Sequence, residues 1–120
     1  MPYVTRDQVL SAADIQTEAV DVPEWGGTIL VRGLTGAQRD ELERFSVDVK
    51  GNGRISLKLA NYRAKLVSLA AVDEDGQPLF TAADVEALGK KSGVALDRVA
   101  EVAARLSGLS SGNVEDATKN

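Results

Sequence analysis

The sequence predicts a small α+β domain, mostly α-helical, with one β-hairpin near its N-terminus. Two short runs, Thr17 to Val22 and Thr28 to Arg32, alternate apolar and polar residues on either side of Pro23 and Gly26-Gly27, as paired strands around a turn do. Downstream, apolar residues recur at helical spacing, with capping residues at the starts of the segments. Aromatic residues make up only 4% of the chain, so the core must rest on Leu, Val and Ala, and Ala and Leu favour helix.

In chain order, Thr5 caps a short helix to about Ala13, with Asp7 in its first turn, where the helix dipole favours an acid. The hairpin follows. In "LTGAQRDELERF", Thr35 and Gln38 have the spacing of a capping box, and a helix is expected from about Gly36 to Phe45. Residues 46–58 suit either a second hairpin around Gly51-Asn52-Gly53 or a mobile extended arm, and the arm is the expected form.

"LANYRAKLVSLAA", from Leu59 to Ala71, has so broad an apolar face that it predicts a central helix. "VDEDGQPLF" breaks it in a tight acidic turn with Gly76 at positive φ, and Thr81, with Asp84 three residues on, starts a helix to about Leu88. The last helix, about Gly93 to Ser107, places Ala95, Val99, Val102 and Leu106 on its inner stripe. Asp97, Arg98, Glu101 and Arg105 face water, with Glu101 and Arg105 spaced for an ion pair. One domain, residues 1–109, is expected, followed by a disordered polar tail, 110–120.

Composition narrows the function. The chain has neither Cys nor His, which removes thiolate nucleophiles, imidazole bases and the usual transition-metal ligands, so neither an enzyme nor a cofactor or metal site is expected. A net charge of -4 and a pI near 4.8 argue against general affinity for nucleic acid or an anionic membrane. No apolar run reaches the ~18 residues of a membrane span, and the N-terminus has no basic-then-apolar export signal. A protein partner is the default.

The short motifs read as structure. "GLSSG" at 108–112 matches a nucleophile elbow but lacks the strand, the following helix and the His base. "GNGRIS" is a fragment of a dinucleotide fingerprint without its βαβ sheet, "GKKSG" lacks the upstream Gly of a P-loop, and "DEDG" has the wrong spacing for a calcium loop. Charge is segregated: Lys50, Arg54, Lys58, Arg63 and Lys65 fall in a segment without acids, and Asp73, Glu74, Asp75, Asp84 and Glu86 in one without bases. These segments either neutralise each other, face solvent, or dock an oppositely charged partner. The final two helices also have the outline of a helix-turn-helix, but the outward face of the second carries no net charge.

"VPEWGGTILVRGLTGAQRDELERF", followed by "LANYRAKLVSLAAVDEDGQPLFTAADVEALGKKSGVALDRVAEVAARLSGL", resembles the tail assembly chaperone family of long-tailed bacteriophages and related prophages, over about Glu18 to Leu109. The resemblance implies a non-enzymatic protein of the host cell cytoplasm, absent from the mature virion, that binds the tape measure protein and keeps it soluble while tail tube subunits polymerise around it. It also implies, for members with a frameshifted longer form, contact with the tail tube protein through an extra C-terminal domain; self-association is a further expectation. The rival readings are a small helix-turn-helix DNA-binding regulator and a structural tail or connector component. From their chemistry, Trp25, Arg32, Lys58, Arg63 and Phe80 are the candidate partner contacts. Trp25 poses the sharpest question, because Pro23 and the two glycines already make the turn: an indole there either folds under the hairpin or anchors a partner.

Overall fold

The computed structural model describes residues 2–49, 51–57 and 59–109. The expected tail, 110–120, and the candidate contact Lys58 lie outside them. The fold is α+β: α1 (Arg6–Ser11), β1 (Thr17–Val22), β2 (Gly27–Arg32), α2 (Gly36–Ser46), β3 (Val47–Val49), β4 (Ile55–Leu57), α3 (Tyr62–Ala70), β5 (Ala71–Val72), α4 (Val85–Leu88) and α5 (Gly93–Leu106).

β1 and β2 form the expected antiparallel hairpin, with Val20 opposite Ile29 and Val22 opposite Gly27. Its turn is a single 3-10 turn, Pro23–Trp25, closed by a hydrogen bond from the Gly26 N–H to the Pro23 carbonyl. Gly26 has φ +81, which a residue without Cβ adopts at little cost. A third strand, β5, pairs antiparallel with β2 through Leu30–Val72 and Val31–Ala71, giving the order β1-β2-β5. This strand was not expected: its two residues end the apolar run of α3 and become a strand because β2 offers them an edge.

The inward side chains of β1 and β2, Val20, Val22, Ile29 and Val31, meet α3 and α5 in one core. In α3 every residue from Ala64 to Ser68 is buried, as befits the central helix. The helix starts at Tyr62 rather than Leu59, because Asn61 takes a left-handed conformation, φ +59, that interrupts the helical run; Leu59 is 63% exposed. In α5 the buried stripe is Ala95, Leu96, Val99, Ala100 and Ala103, so Val102 and Leu106, expected on it, sit half-buried at its margin.

Local signals are realised. The Thr5–Gln8 and Thr35–Gln38 capping boxes both form, and the Thr81 N–H donates to the Asp84 carboxylate at 2.8 Å. The segment after Thr81 begins as a 3-10 turn, Ala82–Asp84, before α4. Asp73 closes the acidic turn by accepting hydrogen bonds from the Asp75 and Gln77 N–H groups, with Gly76 at φ +80.

Two further expectations are corrected. Val47–Val49 and Ile55–Leu57 pair as a second hairpin, β3 and β4, where an extended arm is expected, since Asn52 accepts from the Arg54 N–H and Gly53 takes φ +83 to make the turn. Arg105 does not pair with Glu101; it reaches Glu18 at 2.7 Å, and a partner on β1 fixes α5 against the sheet.

Candidate partner-binding cleft

Beside the hairpin turn lies a cleft of about 890 Å3. The 3-10 turn contributes Trp25 to its lining, β5 contributes Val72, the segment after the acidic turn contributes Leu79 and Phe80, and α4 contributes Leu88. Trp25 and Phe80 are each half-buried, with one side packed on the core. Trp25 thus packs against the core and also lines an open apolar surface. Leu79 stands outside the core cluster and is 48% exposed.

Acids dominate the charge at the rim. Glu24, Asp73, Glu74 and Lys91 border the cleft. Glu24 is held by Arg98, whose hydrogen bond is the main reason its carboxyl is lowered to about 2 from the ordinary 4.5. Asp73 and Glu74 make no ion pair among the described residues.

The sequence-predicted contacts divide accordingly. Trp25 and Phe80 line this cleft together. Arg32 is half-buried in an adjoining hollow of about 410 Å3, which shares Leu30, Val72, Asp73 and Glu74 with the cleft. Arg63 lines neither; it is ion-paired with Asp97 of α5. Among the described residues, Arg63 and Lys65 pair with Asp97 and Glu41, and no ion pair joins the basic segment to residues 73–86. Sequence reasoning missed Leu79, Leu88 and Thr28. Leu79 was visible as an apolar residue directly after a turn, but nothing local placed it in one cleft with Trp25.

The described residues contain no group of acids able to hold a metal ion, and no helix long and apolar enough to cross a membrane.

The family model for phage tail assembly chaperones matches residues 5–120. The chain belongs to the phage tail assembly chaperone family. Among solved structures, this chaperone fold is similar to that of the bacteriophage HK97 tail assembly chaperone, with a TM-score of 0.59 and 24% identity, covering 83% of this chain and 94% of that one. At that identity the likeness shows the fold. No curated protein matches the chain.

Proposed function

We propose that this chaperone binds the tape measure protein through the cleft beside Trp25 and keeps it soluble while tail tube subunits polymerise around it. The supporting observation is an apolar cleft left open on a body of net charge -4. A long, apolar, helix-rich client is prone to aggregate. Half-buried aromatic anchors cover its exposed apolar segments, and the acidic surface keeps the complexes apart. The activity is binding, with no bond made or broken. It is exercised in the host cytoplasm, the protein stays out of the finished virion, and a frameshifted longer form would bring tube protein to the same complex.

The regulator reading loses support from α5. Arg98 and Arg105, the bases that a recognition helix would offer to DNA, are committed to Glu24 and Glu18 of the same chain. Co-expression with the cognate tape measure protein is the test. The expected result is a co-purifying complex and a soluble client, with the chaperone missing from purified virions by mass spectrometry. An insoluble client, or stoichiometric chaperone in virions, contradicts the proposal.

A further inference from the structure

We infer that the cleft takes its partner as an extended strand added to the free edge of β2, a reading that rests on the proposed binding role of the cleft. The cleft touches Gly27 and Ile29, which belong to the inward face of the sheet, and also Thr28 and Leu30, which belong to the outward face. A cavity that meets alternate residues from both faces of one strand lies along that strand's edge, where the main chain presents its hydrogen-bonding groups.

The direction of those groups follows from the register. Gly33 donates its N–H to the Gln16 carbonyl at 3.0 Å, which continues the β1–β2 pairing by one step. In an antiparallel ladder the bonded pairs alternate, so Val31, Ile29 and Gly27 direct their main-chain groups to β1, and Leu30 and Thr28 direct theirs to the opposite edge. On that edge Leu30 is matched by Val72, but β5 ends there and the chain turns away at Asp73. The Ala71 carbonyl and the Asp73 N–H bond to Leu79 and Gln77 on the far side, as this alternation requires. The N–H and C=O of Thr28 therefore open into the cleft, and no strand among the described residues takes them.

An incoming strand continues the line of β5, pairs with Thr28 through two main-chain hydrogen bonds, and lays an apolar side chain into the cleft that Trp25 and Phe80 line. Asp73 and Glu74, at the β5 end, select a segment that carries a lysine or arginine there. The occupant is thus an extended apolar segment of the client with a basic residue at one end.

The experiment uses overlapping peptides that span the cognate tape measure protein, with amide exchange read by NMR on the full chain. Binding peptides are expected to contain an apolar residue near a Lys or Arg and to protect the Thr28 amide, which exchanges freely beforehand. Thr28→Pro removes an N–H that the fold does not use, as an edge position permits, together with the hydroxyl that donates to the Asp21 carboxylate at 2.8 Å; it should weaken binding about tenfold or more, whereas Thr28→Ala, which removes the hydroxyl alone, should not. Should Thr28→Pro fail to fold, the amide-exchange result on the wild-type chain decides. A peptide whose binding is lost in Leu79→Asp but which leaves the Thr28 amide exchanging and binds Thr28→Pro normally overturns the strand inference and spares the cleft. Protection of Thr28 that grows with protein concentration and needs no peptide would assign the edge to a second copy and overturn it. If no peptide binds and Leu79→Asp still keeps the whole client soluble, the cleft reading itself falls.

Discussion

Arg98 of α5 grips Glu24 of the hairpin turn with both prongs of its guanidinium, Nη1 to Oε1 at 2.7 Å and Nη2 to Oε2 at 2.9 Å, across 74 residues of sequence. The pair fixes the turn that carries Trp25 against the last helix. A two-pronged contact restricts orientation more than a single ion pair does, and that is its use here, since its side chains are 37% and 35% exposed and solvent screens the attraction.

The first prediction follows from that pair. The Glu24 carboxyl is lowered from 4.5 to about 2, first by the Arg98 hydrogen bond and then by a backbone one. A depressed acid contributes its stabilisation fully above pH 4.5 and loses it as pH falls toward about 2. In Arg98→Ala the Glu24 titration, followed by carboxyl NMR, should move up toward 4.5, and the acid-side loss of stability across this window should be smaller than in the wild type.

Where β2 leaves the sheet it runs against the end of α5. A Cβ on Gly33 would stand 2.7 Å from the Leu106 carbonyl oxygen, and the Leu34 N–H donates to the Ser107 hydroxyl at 2.9 Å. Gly33→Ala should cost about 1–3 kcal/mol through overpacking against rigid backbone. Ser107→Ala should cost about 1–3 kcal/mol by leaving a buried donor without a partner. Urea denaturation of both single variants and the double variant checks this, and the costs should not add, because the two changes fall on adjacent contacts of one junction.

Lys65 is only 6% exposed, yet its ammonium is satisfied: it meets Glu41 at 2.7 Å and stands 5.5 Å from the centre of the Phe45 ring. Removing one partner of such a pair is worse than replacing the buried charge by an apolar side chain of like shape. Glu41→Ala should therefore destabilise by about 1–2 kcal/mol, discounted because Glu41 is 44% exposed, while Lys65→Met should stay within about 1 kcal/mol of the wild type. Denaturant midpoints that reverse this order contradict the account.

Trp25 is half-buried, so Trp25→Ala should cost about 1–3 kcal/mol, below the ~3–5 kcal/mol of a fully buried indole, and should also weaken client binding. Both effects are measurable on one sample by denaturation and by co-purification.

What could be read from the sequence was what neighbours in the chain decide. Thr5 with Gln8, Thr35 with Gln38 and Thr81 with Asp84 are spaced to meet within one turn, and each pair does. The alternation of Val20, Val22, Ile29 and Val31 likewise set the inward face of the hairpin. Ala71–Val72 gave no strand signal, because their strand exists only where β2 lends an edge. Arg105 was assigned to Glu101 on helical spacing, but Glu18 on β1 lies within reach and takes it. The cleft was legible only in half: Trp25 and Phe80 stood out as rare aromatics beside turns, but their meeting in one cleft, and the opening of Thr28 into it, depend on where β5 stops.

The central claim, that the cleft beside Trp25 holds the client, is tested most directly at Leu79, which lines the cleft without belonging to the core and is 48% exposed. Leu79→Asp should leave stability within about 0.5 kcal/mol of the wild type, as exposed substitutions do. The measurement is the soluble fraction of the cognate tape measure protein when co-expressed with this variant. The account predicts that the fraction falls to the level seen without chaperone, while the variant itself melts as the wild type does. A Leu79→Asp chaperone that keeps the client as soluble as the wild type does would contradict it.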